Sequence, residues 1–381
     1  MLITEPGKPG SHHLICAVCG NEYRRLGRSL QVCPECIRDR WEESRKWCEA
    51  VHAVSRDSYQ LPLHPPRDPV GEACSLCVHQ CLLTPGEKGY CGVRDGSDES
   101  LLVHGHTCGQ LSFYYDPLPT NCVADWVCAG GTGAGYPKYA HDRGPEAGFL
   151  NLAVFFEACN FDCLYCQNWM HKEAHIKGKR KTSVSELVRA VNSQTSCICF
   201  FGGDPVPQLP YALRVAEEAR KARSGEILRI CWETNGSMQQ DLLRSMASIS
   251  LESGGCVKVD LKAWNPHLHR ALTGCDNKQV YENFAMLAEC IPLRPDPPFL
   301  VASTVMVPGY VEANEIANIA RFIAELNPDI PYSLLAFAPE FHLRDFPTTS
   351  PEQAKACFEA AKKAGLRRVR VGNQHLLCSR A

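Results

Sequence analysis

The stretch Glu157-Ala158-Cys159-Asn160-Phe161-Asp162-Cys163-Leu164-Tyr165-Cys166-Gln167-Asn168 decides how the rest of the chain is read. Its cysteines are spaced C-x3-C-x2-C and follow the apolar run Phe149 to Phe156. A cubane of four irons takes four ligands, and Cys159, Cys163 and Cys166 supply three. The remaining iron is free for a ligand that is not a cysteine. A zinc knuckle would need a second C-x2-C pair, and none stands just downstream.

This spacing is the signature of the radical SAM enzymes, which the chain resembles here. The resemblance implies that the open iron of a [4Fe-4S] cluster holds S-adenosylmethionine (SAM) through its amino and carboxylate groups. One electron from an external donor, passed through the cluster, then breaks a carbon–sulfur bond of SAM and makes an adenosyl radical.

From about residue 150 onward, short apolar runs alternate with helical stretches. Candidate strands are Leu152–Phe156, Ile198–Phe201, Ile227–Glu233, Val257–Leu261, Leu300–Met306 and Tyr332–Ala336. Candidate helices are Val184–Ser193, Tyr211–Ala222, Asp241–Ser248, Val280–Glu289, Glu312–Leu326 and Pro351–Ala364. Such alternation predicts a parallel sheet with crossover helices. Six units make an α/β fold, a partial (β/α)6 radical SAM barrel, whose chemistry gathers where the strands end.

Each further motif falls at a strand end. Phe200-Phe201-Gly202-Gly203-Asp204-Pro205 resembles the radical SAM segment that holds the amino group of SAM, with Asp204 in place of Glu. Gly202 and Gly203 allow close backbone approach, and exposed carbonyls accept hydrogens from an ammonium group. Glu233, Thr234 and Asn235 end the third strand, where polar side chains suit ribose hydroxyls or a carboxylate and Asn-Gly also suits a plain turn. Asp260 and Lys262 end the fourth, with Lys258 on the same alternation. Asp260 and Lys262 read either as cofactor contacts or as a structural ion pair. With His267-x-His269-Arg270-Ala271-Leu272-Thr273-Gly274, Val307-Pro308-Gly309-Tyr310 and Gly372-Asn373, these segments resemble activases of pyruvate formate-lyase and their relatives.

Ahead of the barrel lies a small cysteine-rich N-terminal domain, residues 1–60. Cys16-x2-Cys19 and Cys33-x2-Cys36 have the spacing of two knuckles, and four thiolates so placed enclose a structural zinc or single iron. A helix is expected near Arg38 to Val54, then a proline-rich linker from Leu61 to Pro69. In the cysteine- and glycine-rich region 61–148, Cys74-x2-Cys77-x3-Cys81 with Cys91 either holds another metal or packs as small apolar side chains. Cys122 and Cys128 read as buried, and Gly130-Gly131-Thr132-Gly133-Ala134-Gly135 as a loop against the barrel mouth. Residues 149–300 form the radical SAM core, and 301–381 the last barrel units.

A narrower resemblance spans most of the chain. Tyr114-Tyr115-Asp116-Pro117-Leu118-Pro119-Thr120-Asn121-Cys122-Val123-Ala124-Asp125-Trp126-Val127-Cys128, the glycine-rich loop with Gly144-Pro145-Glu146, the Cys159–Trp169 segment and the two knuckles are similar to methanogenesis marker protein 10. That resemblance implies a cobalamin-dependent radical SAM methyltransferase acting on an arginine of the methyl-coenzyme M reductase alpha subunit, in archaeal methanogenesis. It also implies cobalamin, placed against residues 301–381, since no D-x-H-x2-G and no N-terminal Rossmann-type domain is present. An sp3 C–H bond has no acidic proton, so an adenosyl radical must take its hydrogen before methylcobalamin delivers a methyl group. Tyr115 is a candidate ligand to the open iron, its phenolate guarding the cluster when SAM is absent; its other reading is a core tyrosine bonded to backbone.

Bulk properties bound the alternatives. The 381 residues carry a net charge of −2, which gives no basic field for nucleic acid. The basic run Lys177 to Lys181 reads as a solvated loop. No run approaches the roughly 20 apolar residues that span a membrane, and Met1 to Gly7 does not read as a secretory signal. The 23 cysteines in metal-like spacings point to a reducing cytoplasm. Two other readings compete: a glycyl-radical activase or other cobalamin-independent protein-modifying radical SAM enzyme, and a metal-bearing scaffold without turnover.

Overall fold

The sheet that organises the molecule has nine strands, in the order β13-β12-β11-β10-β9-β8-β6-β5-β7. It is seen in a computed structural model that describes residues 14–96, 107–177 and 181–377. The Met1 to Gly7 stretch and the middle of the Lys177 to Lys181 run lie outside the described residues.

Two two-stranded ribbons precede the sheet: β1 (Leu14–Ile15) with β2 (Glu22–Tyr23), and β3 (Glu72–Ala73) with β4 (Leu82–Leu83). The sheet itself comprises β5 (Cys108–Pro117), β6 (Leu150–Phe156), β7 (Lys181–Ser183), β8 (Thr195–Gly202), β9 (Arg229–Thr234), β10 (Val257–Asp260), β11 (Leu300–Met306), β12 (Tyr332–Ala336) and β13 (Val369–Gly372). From β6 and β8 through β13 all pairings are parallel; only β5 runs antiparallel to its neighbours β6 and β7.

The helices are α1 (Pro34–Asp39), α2 (Trp41–Asp57), α3 (Ala129–Thr132), α4 (His171–Lys177), α5 (Val184–Arg189), α6 (Leu209–Ala222), α7 (Gln240–Ser253), α8 (Pro266–Thr273), α9 (Lys278–Ala288), α10 (Ala313–Leu326) and α11 (Pro351–Lys363). The result is the expected α/β partial barrel. Strands β11 and β12 have the predicted bounds; β5, β13 and α8 were not anticipated from periodicity.

Alternation along the strands separates two environments. Leu152, Val154, Phe156, Ile198 and Phe200 face the helices and are fully buried. Ala153, Cys197, Cys199 and Phe201 face inward and border the barrel cavities. On the helix side, α10 buries Ile316, Ile319, Ala320 and Ile323, the spacing of one apolar face. Sequence signals mark the termini: Asn265 accepts from the Leu268 N–H ahead of Pro266, and Gly274 closes α8 at φ 72°.

The glycine-rich loop corrects one expectation. It closes the end opposite the mouth: Glu146 bonds Ser196 and Arg229 at the N-terminal starts of β8 and β9, and the Arg229 guanidinium also donates to the Tyr139 carbonyl. Small residues allow this plug. A Cβ on Gly135 would stand 2.6 Å from Pro297, and one on Gly254 2.4 Å from the Tyr139 ring. The chain reaches the plug through the barrel interior, where Trp126 Nε1 donates to Ser333 Oγ at 3.1 Å and Arg370 pairs with Asp125.

The N-terminal segment shares the barrel's core. Leu26, Leu30, Val32, Ile37 and Trp41 join the same buried cluster as the sheet. Tyr310 donates to the Val32 carbonyl at 3.0 Å, and Trp41 stacks on His267 at 5.0 Å. The C-terminal residues from Leu300 are spent on β11 to β13 and their two helices.

Candidate active site

A pocket of about 310 Å³ opens where the parallel strands end, and Cys159, Cys163 and Cys166 line it together with residues from the tips of β8, β9, β10 and β13. The loop carrying the three thiols leaves β6 and is fixed by backbone bonds to α8: Asp162 N to Thr273 O at 2.8 Å and Leu164 N to Leu272 O at 2.9 Å. Its anchor is Asp162, fully buried, which accepts from Lys172 Nζ at 2.5 Å, His52 Nδ1 at 2.8 Å and Ser55 Oγ at 2.9 Å. Asn160, also fully buried, donates to Ser237 and accepts from Asn235. The trio therefore hangs on two buried polar side chains and one helix.

Burial pushes the Cys163 thiol up to about 12 and Cys159 well above the usual range, while Cys166 rises less. Thiols that ligate a metal release their protons on binding it. The three sulfurs do not crowd within 4.8 Å, as those of Cys16, Cys19, Cys33 and Cys36 do. Around one tetrahedral zinc, with Zn–S about 2.3 Å, sulfurs sit about 3.8 Å apart. The N-terminal four match that size, Cys19 and Cys33 being 3.9 Å apart, and fit a single closed ion. The wider trio suits a multi-iron cluster with one corner open.

Gly202 and Gly203 are required by backbone contact. Gly203 N donates to Phe156 O and Asp204 N to Ala158 O, both at 2.8 Å. A Cβ on Gly203 would lie 2.2 Å from the Ala158 carbonyl oxygen. The β8 tip is thus stitched to the cluster loop. Asp204 turns inward to the fold: it accepts from Val206 N at 2.9 Å, Thr234 Oγ1 at 3.0 Å and Asn235 N at 2.7 Å. Its role is to join the β8 and β9 tips. Burial raises its carboxyl to about 6 against those three donors.

Glu233 and Asp260 present carboxylates to the pocket, each with a cation. Lys262 Nζ is 3.0 Å from Asp260, which also accepts from Ser303 Oγ. Lys258, missed as a site residue, is 2.9 Å from Glu233 and 3.1 Å from Cys199 Sγ. Its signal was the period of two back from Asp260. Burial opposes its charge, and the facing thiols and Glu233 hold the ammonium above its usual range. His171, Lys172 and Arg370 also border the pocket and had no motif to announce them.

Tyr115 is not brought here. It pairs in register with Leu152, on the helix-facing side of the sheet, and its hydroxyl donates to Ala190 O at 2.5 Å. Alternation sends Tyr114, not Tyr115, to the barrel interior. The proposed phenolate ligand is therefore corrected to a tyrosine bonded to backbone.

Ligand size tests the implied cofactors. The 310 Å³ pocket suits one SAM-sized molecule. A second cavity of about 100 Å³ continues below it, walled by Glu233, Lys258 and cysteines. No helix among the described residues is long and apolar enough to cross a membrane.

Comparison with known proteins bears on this geometry. The Radical SAM superfamily model matches residues 153–323. The isethionate sulfite-lyase activating enzyme of Desulfovibrio desulfuricans is 28% identical over 201 residues, 49% of this chain and 60% of that protein. A putative glycyl-radical enzyme activating enzyme of Methanocaldococcus jannaschii is 29% identical over 49% of this chain and 67% of its own length. An uncharacterised M. jannaschii protein is 21% identical over 79% of this chain and 80% of that one. The similarity thus spans three fifths of the first of these relatives.

Proposed function

Because this chain belongs to the radical SAM superfamily, we propose that it uses SAM to take a hydrogen atom from a carbon of a protein or peptide side chain and then methylates that carbon. The substrate in this reading is an arginine of the methyl-coenzyme M reductase alpha subunit. One observation carries the radical step: Cys159, Cys163 and Cys166 share a SAM-sized pocket with the strand tips. A cluster and SAM bound there supply one-electron cleavage of a carbon–sulfur bond.

The chain's own residues bind and orient. Gly202 and Gly203 offer carbonyls to the SAM ammonium, and Asp260 and Glu233 are placed for ribose hydroxyls. Lys258 and Lys262 pair with those carboxylates and hold them in place. Asn121 to Trp126 form the wall facing the thiols and, with the plug, keep water out of the barrel.

The methylation reading is supported by the Tyr114–Cys128 resemblance, since part of that segment walls the pocket. A second SAM is then the ultimate methyl source: its S–CH3 bond breaks, the methyl joins the carbon radical, one further electron comes from the external donor, and S-adenosylhomocysteine leaves. No step is routed through cobalamin. A second reading, activation of a glycyl-radical enzyme, is favoured by the activating enzymes among the relatives.

The test is an anaerobic reaction of reduced protein, SAM and an arginine-containing peptide, read by mass. A gain of one CH2 with 5′-deoxyadenosine supports methylation. Deoxyadenosine with an unchanged peptide mass favours activation, and no deoxyadenosine at all refutes both. Corrinoid content of the active protein, read by its visible spectrum, decides the cobalamin question separately.

A further inference from the structure

Cys74, Cys77, Cys81 and Cys91 belong to neither the cluster trio nor the N-terminal four. They lie in a segment with little regular structure, two strands of two residues each. Its own core is a five-residue group: Cys74, Leu76, Cys81, Leu83 and Tyr90. So small a core does not hold a loop of this length by itself, and small segments are commonly stapled by a metal or disulfides. All four cysteines are free thiols.

The four border one small cavity of about 10 Å³. That is the room of a single atom or water, too little for a four-iron cubane. Among the described residues no carboxylate borders it, whereas Arg94 does. The Arg56 guanidinium lies 3.4 Å over the Tyr90 ring at the same wall and is 1% exposed. Two buried guanidinium groups thus stand beside the four sulfurs, positive charge placed where a tetrathiolate would carry negative charge.

We propose that Cys74, Cys77, Cys81 and Cys91 bind one thiophilic divalent ion, zinc or iron, as a closed tetrathiolate site. Four thiolates on such an ion carry a net charge of −2, which the two guanidinium groups offset. No three of these sulfurs yet converge within 4.8 Å, as the N-terminal four do. Binding rotates them into the cavity between them. The site is a brace for the reaction centre. His79, inside the loop, donates to the Asn160 carbonyl at 2.6 Å, next to Cys159, and Val78 N bonds Ser237 O beside the β9 tip.

The experiment uses full-length chain purified anaerobically, with metals, acid-labile sulfide and sulfur coordination by X-ray absorption measured together. Wild-type protein is expected to carry two divalent ions beyond the cluster irons. C16S/C19S retains one, bound by four sulfurs; C74S/C81S retains only the N-terminal one. A C16S/C19S protein with no ion beyond the cluster overturns the assignment, even if C74S/C81S fails to fold. So does extra labile sulfide lost with Cys74 and Cys81, which would mark a second iron–sulfur cluster.

Discussion

Asp204 shows how one substitution within a motif is read at atomic scale. Its carboxylate takes three donors from the β8 and β9 tips, yet burial still leaves its pKa raised to about 6. The unfolded value is about 3.9. The folded form therefore binds its proton more tightly. This group's contribution to stability is complete below about pH 4 and is lost as pH rises through about 6. Asp204→Asn cannot titrate, so the wild-type minus variant stability should fall by about 2–3 kcal/mol between pH 4 and 7, read by denaturant unfolding. A pH-independent difference would show that the carboxyl is not buried as described. Tyr115 tests the opposite kind of residue. Tyr115→Phe removes one bond to Ala190 O, a cost of about 1 kcal/mol, and should leave the electron paramagnetic resonance spectrum of the reduced, SAM-free cluster unchanged. An altered spectrum would return the phenol to the iron.

At the scale of elements, Asp162 ties three of them together. It sits in the cluster loop and accepts from His52 and Ser55 of α2 and from Lys172 of α4. Burial alone would raise its carboxyl, but the Lys172 ammonium and His52 hold it well below the usual range. Its stabilisation is thus present above the ordinary carboxylate pKa and lost only in stronger acid. Asp162→Asn leaves the Lys172 ammonium buried without its counter-charge, at a cost of about 3–5 kcal/mol. We expect cluster iron per chain to drop well below wild type, measured after anaerobic reconstitution; wild-type iron content would mean the anchor is dispensable. Asp162 was quoted as part of the motif, yet nothing in its neighbours in sequence announced this role. Its partners lie 107 and 110 residues away in α2. Local signals, by contrast, were legible. The runs Leu300–Met306 and Tyr332–Ala336 are buried on both faces and read directly as parallel strands. Strand β5 was hidden because its burial alternates imperfectly and it ends in turn-forming residues. The plug was misplaced for a similar reason. Glycines announce close approach but not the end of the barrel at which it happens.

The whole molecule links its two ends through the cluster loop. The N-terminal four cysteines hold the turn that starts α1, with Cys33 capping the helix by accepting from Cys36 N. Helices α1 and α2 pack on α8 through the Trp41–His267 stack, and His52 Nε2 faces the Ala271 carbonyl at 3.1 Å. From α8 the Leu272 and Thr273 carbonyls take the backbone N–H groups of Leu164 and Asp162. A metal bound by the N-terminal four would brace the helix whose carbonyls hold the cluster loop, some of its binding energy being folding energy. Removing it should act on a site it does not touch. C16S/C19S protein is expected to lower the thermal midpoint and, at temperatures where it stays folded, to lose cluster iron several-fold faster to a chelator. Both are measured on anaerobic protein, by circular dichroism and by the decay of the cluster's visible absorbance. If the midpoint falls while the cluster decays at the wild-type rate, the N-terminal segment stabilises the fold without positioning the reaction centre, and the α8 relay is wrong.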